Sequence, residues 1–201
     1  MSIILSSILS SMCLISSPPL GLDDEYCVVS REGETEEELE ERMKEAMYEE
    51  ELLYTAITSC RNARPSKVDP HLLRDLLEIE KDNGVPKKYR GMVLAAACSE
   101  SGYNPKAVGD GGKAVGILQM WPWWERRFKV DRKDPYSSAK WWTYQIMRTV
   151  PKAAKKCGKH RAVVTAWSWV ASGPKGWTCR APRHYTRLKR WHRAVKQELG
   201  I

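Results

Sequence analysis

The sequence predicts a mainly α-helical protein with at most one small β-hairpin. Three features carry this. Apolar residues recur at helical spacing in several long runs, those runs open at proline and close at glycine, and no stretch shows convincing alternation of apolar and polar residues. At 201 residues the chain has room for one well-packed domain plus an appendage.

Residues 1–22, MSIILSSILSSMCLISSPPLGL, form an apolar, serine-rich leader or a disordered tail. The segment is too short and interrupted for a stable membrane span. It resembles the apolar part of a secretory signal without the usual basic start, and the serines before Cys13 match a lipid-attachment box poorly. Residues 23–66 form an acidic arm or linker, in which Leu39, Met43 and Met47 recur at helical spacing. The bland reading is a solvated spacer; the arm can also fold against a basic partner surface and screen it.

Residues 67–201 read as the folded domain. Asp69-Pro70 opens a helix closed by Gly84. Pro86 opens the next, with Met92, Val93, Ala96 and Ala97 on its apolar face and Gly102 and Pro105 at its end. Residues 103–120 read as loop plus a short helical turn, with room for a hairpin near 106–118. Residues 121–134 are aromatic and basic with a proline and read as irregular. Three helical runs follow, at 135–157, 159–171 and 182–199.

The net charge is +8, but the chain is acidic up to about residue 83 and strongly basic beyond it. All nine tryptophans lie in the basic part. A basic, tryptophan-rich domain suits an anionic polymer: nucleic acid through phosphates and base stacking, or a bacterial wall, since indoles also pack on sugar faces. Against this stands the plain possibility that many of these indoles are core and the cations a solvated face.

With the leader removed, Cys27, Cys60, Cys98, Cys157 and Cys179 remain, an odd number. Cys157 and Cys179 flank a helix and its following loop, where a disulfide is plausible. Cys157, His160, Cys179 and His184 also permit a zinc reading, but the long tryptophan-filled gap is unlike common zinc modules, so neither metal nor cofactor is expected.

Glu100 ends the apolar run MVLAAACSE. A carboxyl there is partly desolvated, which raises its pKa, and the negative end of the helix works in the same direction. A carboxyl kept protonated near neutral pH is a candidate general acid. Ser101 can hydrogen-bond nearby groups. The loop Gly109-Asp110-Gly111-Gly112 lets a polymer approach its backbone closely, and the Gln119 amide suits sugar hydroxyls or N-acetyl groups. A phosphate-binding loop is excluded, since the first glycine is missing and Lys113 precedes Ala114 rather than Ser or Thr.

The segment ESGYNPKAVGDGGKAVGILQ, residues 100–119, resembles the signature of soluble-lytic-transglycosylase-type (SLT) domains and is similar to the related segment of goose-type lysozymes. Further on, Ala166-Trp167-Ser168 stands where that family has alanine-tyrosine-asparagine, and His184-Tyr185 resembles its tyrosine-bearing last helix. The resemblance covers about residues 85–200. It implies a lysozyme-like fold, an α+β helical bundle around a substrate cleft. It also implies cleavage of the β-1,4 bond between N-acetylmuramic acid and N-acetylglucosamine, with Glu100 as acid and then base and with 1,6-anhydromuramyl products. One enzyme carboxyl suffices, because the attacking 6-hydroxyl belongs to the substrate. The implied substrate contacts are Ser101, Asp110, Gly116, Gln119, Trp167, Ser168 and Tyr185. Tryptophan at 167 departs from the family tyrosine, which contacts the acid or the sugar.

A hydrolase using Glu100 with Asp110 is the close rival. A non-catalytic wall-binding module and a nucleic-acid-binding module are the remaining classes. The expected partners are peptidoglycan glycan strands and an anionic wall surface, without nucleic acid. The expected location is the periplasm or the extracellular space, or a virion or lysing host if the chain is phage-encoded.

Overall fold

The computed structural model describes residues 11–14, 26–172 and 178–201. Among these the protein is mainly helical: α1 Glu36–Thr58, α2 Pro70–Asp82, α3 Met92–Glu100, α4 Pro122–Phe128, α5 Pro135–Cys157, α6 Ala162–Ser172 and α7 Arg183–Leu199. Strands β1 (Ser11–Leu14) and β2 (Tyr26–Val29) pair antiparallel, with Cys13 opposite Cys27. A second hairpin pairs β3 (Val108–Gly109) with β4 (Ala114–Val115), inside the interval that sequence reserved for one. The β1–β2 pair lies where a leader and an acidic arm were expected. Tyr26-Cys27-Val28-Val29 is a run of strand-prone residues too short to stand out by alternation. Among the described residues no helix is long and apolar enough to cross a membrane.

The helix starts follow local chemistry. Asp69 accepts from the amides of His71 (3.0 Å) and Leu72 (3.3 Å), and Asp134 from those of Tyr136 (3.3 Å) and Ser137 (2.9 Å). Each cap is followed by proline at the first helical position, where a missing N–H costs nothing. Thr35 and Glu38 form a reciprocal capping box on α1.

The acidic segment folds against the basic part. Leu52, Leu53, Ala56 and Ile57 at the end of α1 enter the core, packed with Leu73 and Leu76 of α2 and Met92 and Leu94 of α3. Above them the α1 acids meet cations of the following turns: Glu50 takes Arg74 through two bonds, Glu49 takes Lys81, and Glu45 and Glu49 both take Arg90. A disulfide from Cys60, just past α1, to Cys98 in α3 ties this helix to the domain. On the chain-entropy account a loop of that length stabilises by about 4 kcal/mol.

Residues 122–128, expected to be irregular, form helix α4. Pro122 takes its first position, and Trp124 and Phe128 pack on Trp141 of α5 at centroid distances of 4.8 and 4.7 Å. Tertiary packing, not sequence periodicity, makes this turn helical. The tryptophans divide as the bland reading allowed: Trp142, Trp167, Trp169 and Trp191 are buried, Trp121 and Trp123 exposed, and Trp177 lies outside the described residues.

Helix α3 carries Glu100 and is buried along its whole body, Met92 to Cys98. It starts at Gly91, and its first amides have no partner within the helix. Fully buried Glu80 of α2 supplies one, its two carboxylate oxygens accepting from Gly91 N and Val93 N at 2.6 Å each. Burial pushes this carboxyl up to about 8, against the two amide bonds and the Arg90 charge, which favour the anion.

Candidate active site

Where α3 gives out, the chain turns through Gly102 and Tyr103 into the β3–β4 hairpin. Ser101 closes this junction, its hydroxyl donating to Ile117 O (2.8 Å) and Ala97 O (3.1 Å). Glu100 is left facing a cleft of about 340 Å³. The acid shares it with Asp110, Leu118, Gln119, Trp121, Trp124 and His184, with Trp142 and Val170 also on its walls. Two-fifths of the Glu100 side chain is open to solvent (40%). Partial burial raises its pKa above the usual carboxylate value, and the Asp110 charge raises it further.

A larger cavity, about 700 Å³, runs between α1 and α7. Its carboxylates Glu41, Glu45 and Glu49 are all paired with cations, Glu41 with Lys87 and Glu45 and Glu49 with Arg90, so it offers no acid poised for proton transfer. The smaller cleft is the chemical candidate because it joins a carboxyl of raised pKa to aromatic walls.

The hairpin is under backbone strain at this point. Tyr103, Asp110 and Gln119 all have positive φ (68°, 49° and 47°), a conformation that costs a non-glycine residue about 1–2 kcal/mol. Two of the three line the cleft. Side-chain bonds hold them there. The indole N–H of Trp121 donates to Asp110 Oδ2 (3.1 Å), and Gln119 Nε2 donates to Ala107 O (3.1 Å) and Gly116 O (2.9 Å). Buried Arg132 donates to the Lys113 and Met120 carbonyls (3.0 and 2.8 Å) and so fastens the hairpin from behind.

Of the residues expected at the substrate, the cleft brings together Glu100, Asp110 and Gln119; the other five do not line it. Ser101 is a clasp, as above. Gln119 is itself partly a clasp, since its amide hydrogens bind the loop. Gly116 serves the backbone: a Cβ there would sit 2.0 Å from Arg132 O, at φ +78°. Trp167 is fully buried, its indole N–H without a hydrogen-bond partner, and Ser168 is buried beside it. Tyr185 packs near Tyr89 and Trp167, with Lys189 over its ring.

Gly116→Ala should therefore lower stability by at least roughly 2 kcal/mol. Gly111→Ala shares a positive φ (62°) but meets open space, and should cost about half as much. Paired thermal melts test the contrast.

His184 is a cleft residue that sequence placed only on a final helix and in a rejected zinc set. It enters from the start of α7, with its side chain 14% exposed, its ring stacked on Trp167 (6.2 Å, 22°) and Nε2 3.4 Å from Glu100 Oε1. Burial, then Arg187 and Arg183, push its pKa down to about 4. At neutral pH the imidazole is uncharged, so this contact is not an ion pair. Trp121 and Trp124 were recognisable only as members of an aromatic stretch. The zinc reading loses its cysteines, because Cys157 and Cys179 are disulfide-bonded to each other. No group of three or more metal-ligating side chains occurs among the described residues. No family model, curated protein or solved structure matches this chain.

Proposed function

We propose that the protein cleaves the β-1,4 bond between N-acetylmuramic acid and N-acetylglucosamine in peptidoglycan, as a lytic transglycosylase of lysozyme-like fold. One observation carries the reading: a single carboxyl of raised pKa, at the end of a buried apolar helix, opens into a cleft walled by tryptophans. Glu100 protonates the leaving oxygen as the glycosidic bond breaks. As carboxylate it then takes the proton of the muramyl 6-hydroxyl while that oxygen closes on the anomeric carbon. Indole faces suit the apolar faces of sugar rings, and the basic surface suits retention on an anionic wall. The two disulfides within the folded part are compatible with an exported or lytic protein.

Asp110 favours a second reading. It lines the same cleft, and its charge acts on Glu100. A water positioned by Asp110 would make the enzyme an inverting hydrolase. Mass spectrometry of products from purified peptidoglycan separates the two, as anhydro ends mark the lyase and reducing ends, heavier by one water, the hydrolase. Absence of both product types sinks the proposal.

Asp110→Asn also has a pH signature. Removing the Asp110 charge removes one of the two causes that raise the Glu100 pKa. The protonated acid is then lost at lower pH, and the alkaline limb of the kcat/KM profile shifts downward. An upward shift contradicts the coupling.

A further inference from the structure

We infer that His184 is a positioning residue for Glu100: its Nε2 lies beside Glu100 Oε1 and, carrying the ring proton, steadies that oxygen as charge develops on it, leaving the other oxygen to carry the transferable proton. The inference rests on the reading of Glu100 as the acid.

Three observations converge on it. The first is placement, since Nε2 lies 3.4 Å from Glu100 Oε1. The second is the tautomer. His184 Nδ1 is buried without a hydrogen-bond partner. A neutral imidazole carries one N–H. On Nδ1 that proton would be a buried, unpaired donor, which folded proteins rarely tolerate. On Nε2 it lies next to a carboxyl oxygen, 3.4 Å from Glu100 Oε1. The third is packing: the ring stacks on fully buried Trp167, which limits how far its plane can tilt away from Glu100.

The surroundings keep the ring uncharged. Arg183 and Arg187 lie on its own helix, and both disfavour a second cation. Arg187 reaches across to Ala95 O and Ser99 Oγ of α3. From the hairpin side the charged group in the cleft is Asp110, whose Oδ2 takes the Trp121 indole N–H. Tyr185, next in sequence, faces Tyr89 and Trp167. A charged imidazolium would hold Glu100 ionised and defeat proton donation; an uncharged N–H does not.

The chemistry balances without a proton leaving the histidine. At 3.4 Å the contact is longer than a formed hydrogen bond. As Glu100 gives its Oε2 proton to the glycosidic oxygen, the carboxyl gains negative charge, and the bond from Nε2–H shortens and strengthens. In the return step Glu100 recovers a proton from the attacking hydroxyl, and the Nε2 proton stays in place.

The test pairs His184→Phe, which keeps a stacked ring and removes the donor, with His184→Gln, which keeps an N–H near the Nε2 position. The Glu100 carboxyl is titrated by carbon NMR in the resting protein, with Glu100→Gln identifying its signal. The phenylalanine variant should titrate at higher pH than wild type and the glutamine variant close to it. Its kcat should fall roughly tenfold with little change in KM, with the alkaline limb moved upward and the glutamine variant restoring both. Nitrogen NMR of the wild-type ring should report the Nε2–H tautomer. An Nδ1–H tautomer, or an unmoved Glu100 titration in folded His184→Phe, overturns the assignment. If that variant does not fold, the tautomer and the glutamine variant still decide. Because titration and tautomer are read without substrate, an inactive wild type would sink the proposed reaction and leave this pairing separately tested.

Discussion

Glu100→Gln should abolish muropeptide release from purified peptidoglycan, lowering the rate by about 10²–10⁴-fold, the usual worth of a general acid. The substitution is isosteric, and what it removes is the proton. No other acid in the cleft can take over, because Asp110 is the remaining carboxyl there and sits in the hairpin loop, hydrogen-bonded to Trp121. Stability should change by no more than about 0.5 kcal/mol, since the side chain is two-fifths exposed and a carboxyl of raised pKa prefers its neutral form. Sedimentation with the wall should persist, because the basic surface is untouched. Unchanged release by the variant would overturn the proposed reaction, whereas lost release with a large fall in melting temperature would assign Glu100 a structural duty instead.

The largest stability effect should come from Glu80→Ala. The wild-type carboxyl is the partner of two amides at the start of α3, and all three groups are buried. Truncation leaves both donors unsatisfied and opens a cavity beside Arg90. Each orphaned buried donor costs about 1–3 kcal/mol, so a total of roughly 4 kcal/mol is expected. For a chain of this size that lowers the melting temperature by about 8–16 °C. Glu80→Gln should fall between, because its amide keeps one acceptor but turns an NH₂ toward a backbone N–H. A melting temperature within about 2 °C of wild type in Glu80→Ala would refute the capping role. Helix α3 carries the proposed acid, so this variant should also lose activity in step with its folded fraction.

Some helix starts and stops were legible where a single residue dictates them, whereas Pro86, expected to open the helix that carries Glu100, opens only a short 3-10 turn and α3 begins at Met92. Asp69-Pro70 and Asp134-Pro135 act through one side chain and one ring, and both helices begin there. The place of Glu100 at the end of a buried apolar helix was legible for a similar reason, since the end of an apolar run is a local property. What sequence did not reveal depends on residues far apart in the chain. Helix α4 exists because Trp124 and Phe128 find Trp141. The end of α1 looked like part of a charged arm because glutamates dominate its composition, while Leu52, Leu53, Ala56 and Ile57 carry it into the core. Trp167, expected at the substrate wall, is fully buried. His184 meets Glu100 across more than eighty positions of sequence, and nothing local to either marks the pair.

The Cys60–Cys98 bond, placed two positions before Glu100, has a mechanical corollary. With Glu80 gripping one end of α3 and the disulfide and Ser101 the other, the acid is carried on an element that cannot shift without unfolding its neighbours. The turn at Gly111 and Gly112 is set otherwise: a Cβ at either position would meet nothing within 4 Å, so this turn has room to yield while Glu100 stays still.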